Sequence, residues 1–163
     1  MDLSYIARND ASRKRLQSVL GALKPNHFGL IVHEGWTVAA TLAHLAFSDR
    51  QIQGWLEEWG REGIRTSAAL QEWDKAARIR LRGQNDELLS RWLATDPQEI
   101  KAEVIAAAET IDDTIANLSP ALTETILTTS LFGRRRPWVI DRSIHRDEHL
   151  DEIERARSSV AAP

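Results

Sequence analysis

The run SIHRDEHLDEIE near the C-terminal end sets two histidines, His145 and His149, four residues apart. If the run is helical, each residue turns by about 100°, so the two side chains lie about 40° apart and both imidazoles project toward one point. Neutral imidazole is a ligand for zinc, nickel, copper or iron, and a pair at this spacing supplies two nitrogens without backbone strain. A third is offered by His44, which sits in the apolar stretch TVAATLAHLAF and should face inward. One histidine on one helix and a pair on another make the minimum set for a three-nitrogen site with open positions inside a bundle. Plainer readings stand beside this one: a hydrogen-bonded core histidine for His44, and a solvated charged face for His145 and His149. The chain has no cysteine. Disulfides, thiolate nucleophiles, Fe–S clusters and cysteine-ligated zinc are therefore excluded, and any metal site must use nitrogen and oxygen.

A ligating histidine normally gives its other N–H to an acceptor, which makes Asp141, Glu148 and Glu152 candidate partners. Glu148 neighbours both His145 and His149 in sequence and is the candidate general base. On a helical projection Trp138, Asp141, Arg142, Glu148 and Glu152 share the stripe of the pair. Thr37, Thr41, Phe47, Ser48, Gln51 and Trp55 share that of His44, and both sets could line a pocket. The string HRDEH also fits the inverted zinc-protease signature, but those enzymes need a further carboxylate well downstream, where little chain remains. That reading is rejected. His27 and His33 fall in a polar loop and read as surface residues.

The elements that must position these residues read as helices. Apolar residues recur at helical spacing from Leu3 to Leu23 and stop at Pro25. Thr37 stands where an N-cap belongs, ahead of a second helix expected to end near Gly60. The next segment carries helix-like pieces, SAALQEWDKAARIR and NDELLSRWLA, and Asp96-Pro97 then opens a third long helix that closes before Ser119-Pro120. Gly133 and Pro137 mark a loop, and a final helix is expected from about Trp138 to about Arg157. No segment reads as a strand. The expectation is an all-α fold, a four-helix bundle with a long structured connection between the second and third long helices, in a single domain over residues 1–163.

At 163 residues and 42% apolar content the chain can build one core of ordinary size. A formal net charge of -3 gives no general electrostatic reason to bind nucleic acid or an anionic membrane. No apolar run approaches the roughly 20 residues that span a bilayer. MDLSYIARND also lacks a basic segment followed by an apolar stretch, so a soluble cytoplasmic protein is expected. Six tryptophans in a small bundle suggest a buried aromatic interface, hence a homodimer.

GWTVAATLAHLAFSDRQ and SIHRDEHLDEIE together resemble the DinB-like superfamily, also called YfiT-like metal-dependent hydrolases, which is unrelated to the DNA polymerase sharing that name. The resemblance covers nearly the whole chain. It implies a four-helix bundle with an unusual chain order, often dimeric, holding one divalent metal, zinc or nickel, at His44, His145 and His149. It also implies two classes of function. One is a metal-dependent enzyme, either a small-molecule hydrolase or a transferase using a low-molecular-weight thiol such as bacillithiol, mycothiol or glutathione. The other is a non-catalytic metal-binding or stress-response bundle. Arg134, Arg135 and Arg136 could bind the carboxylates of such a thiol or form a solvated loop.

Overall fold

Among the described residues, side-chain oxygens cap four of the seven α-helices at their starts. The computed structural model describes residues 3–133 and 137–160. Helix α1 (Ser4–Ala22) leads to a short helical turn and a small hairpin, after which α2 (Val38–Glu62) begins. The Thr37 side chain accepts from the Ala40 amide at 3.1 Å and satisfies one of the donors that a helix start leaves open. The helix ends at Gly63, whose φ of 69° is the left-handed turn that glycine adopts without penalty. Next come α3 (Ser67–Arg80), α4 (Gln84–Leu93) and α5 (Pro97–Ala116). Asp96 caps α5 by accepting from the amides of Gln98 and Glu99.

Four long helices, α1, α2, α5 and α7 (Ser143–Ser159), form the bundle, and α3 and α4 make the structured connection expected between the second and third. The main packing pairs α2 with α5 and α1 with α7, closed by α1 on α5 and α2 on α7. Consecutive α1 and α2 therefore stand diagonally. The core falls into two apolar clusters. One gathers the C-terminal part of α1, the first turns of α2 and α5, Trp92, and Leu150 and Ile153 of α7. The other gathers Tyr5, the second half of α2, the end of α5, and Val139 and Ile140. Between them lies a buried polar layer of Asn9, Ser12, Asp49, Arg142 and Arg146.

Three expectations are corrected. Two short strands do form, β1 (Ile31–His33) and β2 (Trp36–Thr37), paired antiparallel across a turn in which Gly35 supplies a φ of 82°. A further helix, α6 (Pro120–Thr128), precedes the loop, with the Ser119 hydroxyl accepting from the Leu122 amide. The last helix begins at Ser143 rather than near Trp138, because the amides of Ile140 and Asp141 both donate to the Pro137 carbonyl and close a tight turn first. Arg134, Arg135 and Arg136 lie outside the described residues. Among those described, no helix is long and apolar enough to cross a membrane.

Candidate metal centre

Helix α2 brings His44 and α7 brings His145 and His149 to one place. Each offers a ring nitrogen, and the three nitrogens lie within 4.8 Å of one another. The ring centroids are 5.0 Å apart for His44 and His145, 5.1 Å for His44 and His149, and 4.8 Å for His145 and His149. The Nε2 atoms of His44 and His145 approach to 3.1 Å. Two nitrogens each about 2.1 Å from one ion and 3.1 Å apart would subtend roughly 95° at it, so the pair fits a shared cation. This closeness follows from the i, i+4 spacing on α7 and from α2 facing α7 at that level.

His44 is 8% exposed, and aromatic rings account for much of that cover. Trp36, from β2, and Trp92, from α4, lie edge-on to its imidazole at 5.4 and 5.1 Å. Phe47 tilts against Trp92 behind them. Burial pushes the pKa of His44 down to about 4, with further contributions from His149 and Arg142, so the ring is neutral and able to act as a ligand at neutral pH. Its Nδ1 is buried and has no hydrogen-bond partner among the described residues.

The two histidines of α7 differ in what holds their outer nitrogens. His149 Nδ1 lies 2.8 Å from Glu152 Oε2, the arrangement of a ligand that gives its N–H to a carboxylate. His145 Nδ1 instead lies 3.1 Å from a guanidinium nitrogen of Arg142. Arg142 is wholly buried, with Nε on Asp49 at 2.8 Å, Nη1 on the Trp138 carbonyl at 3.1 Å and Nη2 also on Ser48 Oγ at 3.0 Å. Asp49 is shared with Arg146, which also clasps Asp112 through both guanidinium termini. Burial lowers the pKa of Arg142 against the pull of one shared carboxylate. Burial opposes the charge of Arg146 too, but Asp49 and Asp112 together outweigh it and leave that pKa raised. Burial also raises the pKa of Asp112 against the hydrogen bonds from Arg146.

Of the expected partner carboxylates, Glu152 meets a histidine. Asp141 instead accepts from Arg8 and Ser143. Glu148 is exposed on α7, and no hydrogen bond joins it to either histidine. Arg142 and Ser48, expected along the pocket stripes, do adjoin the centre. Thr41 returns its hydroxyl to the Thr37 carbonyl, Gln51 binds Gln84, and Trp55 packs in the second apolar cluster. His27 accepts from the Lys24 amide in the helical turn. His33 is half-buried against Trp36, with Nε2 3.9 Å from Glu152, and so stands beside the centre rather than on plain surface. The sequence reading missed Trp92, Asp49 and Arg146. An aspartate inside the apolar face of α2 was a readable signal for a buried cation, but which arginines answer it depends on pairing across the fold.

The sequence model of the DinB superfamily matches residues 8–146, a span that holds His44 and His145 and ends just before His149. No curated protein and no solved structure gives a significant match.

Proposed function

This chain belongs to the DinB superfamily, and from that premise we propose that it is a metal-dependent enzyme for a small molecule, with His44, His145 and His149 as ligands of one divalent cation. The observation that carries the reading is the convergence of three imidazole nitrogens within 4.8 Å, drawn from two helices. An all-imidazole set suits a borderline ion such as zinc or nickel. When bound, the ion would supply Lewis acidity and lower the pKa of a water or thiol at its remaining positions. The chain's own groups prepare the place. Burial keeps His44 uncharged, Glu152 orients His149, and Trp36 with Trp92 keeps water from the flank of His44.

Without a cysteine the chain supplies no thiol, so in the transferase branch of the proposal a low-molecular-weight thiol such as bacillithiol, mycothiol or glutathione arrives as a cofactor. In the hydrolase branch water takes that role. Glu148 is proposed as the proton acceptor, and Glu148→Gln tests it apart from metal binding.

Metal analysis of protein purified without an affinity tag should find about one divalent ion per chain, and substituting any one histidine by alanine should sharply reduce it. Loaded protein is then assayed with each thiol plus monochlorobimane, and with simple esters and amides. Turnover that disappears in His145→Ala supports the enzyme, and a thiol requirement selects the transferase branch. Stoichiometric metal with no turnover on any of these would favour a non-catalytic metal-binding or stress-response protein. Full metal content in all three single variants would end the proposal.

A further inference from the structure

The three imidazoles are held in unlike ways, and the difference decides which ring nitrogens are free to take a cation. Given the proposed metal centre, on which this step rests, we infer that Arg142 is a latch: it holds His145 in the tautomer that cannot bind through Nε2. The site gains its third nitrogen only when Arg142 releases that contact.

A guanidinium has donors and no acceptor. With Nη2 of Arg142 3.1 Å from His145 Nδ1, that nitrogen must present its lone pair. The neutral ring then carries its proton on Nε2, which faces Nε2 of His44 at 3.1 Å. His44 must accept there, which places its own proton on Nδ1, the buried nitrogen that has no partner among the described residues. A doubly protonated His145 would set an N–H against the guanidinium and is excluded by the same contact. His149 is reversed. The carboxylate of Glu152 can only accept when ionised, so Nδ1 of His149 donates and its Nε2 keeps the lone pair. Two of the three Nε2 atoms are thus ready for a cation, and the third is covered by a proton.

Arg142 is also held by Asp49, the Trp138 carbonyl and Ser48. Opening the latch is therefore a turn of the His145 ring away from a fixed guanidinium, which breaks one hydrogen bond and leaves the buried ion pair intact. The ring proton then moves from Nε2 to Nδ1 by exchange with water. Arg142 is a positioning residue in this scheme, since it acts on the cation only through His145.

The tautomers can be read without a mutation, by long-range nitrogen–proton correlation NMR of metal-free protein. His145 should carry its proton on Nε2 and His149 on Nδ1, and added zinc should move the His145 proton to Nδ1. Finding Nδ1–H on His145 before zinc is added, or Nε2–H retained after it binds, would overturn the latch. Affinity supplies an independent readout, by competition with a chelator. Arg142→Lys keeps a side chain that only donates, whereas Arg142→Gln offers an acceptor for Nδ1–H. The glutamine variant should bind zinc about ten-fold more tightly than the lysine variant, the order of effect that partners of ligating histidines have. Equal affinities would refute the inference. Asp49 keeps Arg146 in both variants, so no buried carboxylate is left alone, and circular dichroism checks folding. Zinc bound without a change of tautomer would sink the latch alone. No zinc bound by any form would sink the metal centre and the latch together.

Discussion

Glu152 fixes the outer nitrogen of His149 at 2.8 Å, and a carboxylate in that place orients the ring toward a cation. Glu152→Ala should weaken metal binding by about 10- to 100-fold with little loss of stability, measured by chelator competition and urea unfolding. Unchanged affinity would detach Glu152 from the centre. His44 carries a different consequence. Its pKa is about 4 in the fold and near 6.5 when the chain is unfolded, so between those values the unfolded state binds the extra proton. The contribution of neutral His44 to stability is therefore complete above about pH 6.5 and falls as pH drops toward 4, by up to about 3 kcal/mol. Urea unfolding of chelator-treated protein should show wild type losing more stability than His44→Leu between pH 7 and pH 4.5. Equal losses would contradict the burial of that ring.

At the scale of elements, the centre depends on where α2 starts. The Thr37 cap and the strand residue Trp36 beside it set the phase at which His44 leaves the helix start. Thr37→Ala should cost about 1 kcal/mol in urea unfolding, since the Ala40 amide would lose its acceptor. No change would mean that water replaces the hydroxyl freely. Periodicity and caps made α1, α2, α5 and the two helices of the connection legible, as well as the placing of all three histidines. The rest was hidden for identifiable reasons. Helix α6 is rich in threonine, a poor helix former, and Thr125, Thr128 and Thr129 turn their hydroxyls back to helix carbonyls, a local device that no apolar stripe reveals. The hairpin is too short to show an alternating pattern, and it forms around Gly35. The run around HRDEH reads as solvated because arginine is usually exposed, yet Arg146 is wholly buried, its charge answered by Asp49 and Asp112 from other helices.

Across the whole molecule, the buried polar layer separates the two apolar clusters and ties α1, α2, α5 and α7 at one level. Asp49→Ala would leave two buried guanidinium groups short of a carboxylate and should cost about 3–5 kcal/mol by urea unfolding. A loss below about 1 kcal/mol would show that Asp112 alone suffices. Trp55, Trp59 and Trp92 are buried within the chain, which leaves the half-buried Trp36, Trp73 and Trp138 to serve the expected homodimer. Light scattering at micromolar concentration should report a dimer if that expectation holds, and a monomer would remove it. The polar layer has one more effect. Apolar helix faces can settle at several settings, because the next leucine along serves almost as well as the last. Helix α7 has no such freedom, since sliding it by one turn, about 5.4 Å, would pull both arginines away from Asp49 and press them into hydrocarbon. The charges act as notches on an otherwise smooth ruler. His145 lies between Arg142, which caps the start of α7, and Arg146 within it, so the imidazoles arrive opposite His44 at the only graduation the ruler allows.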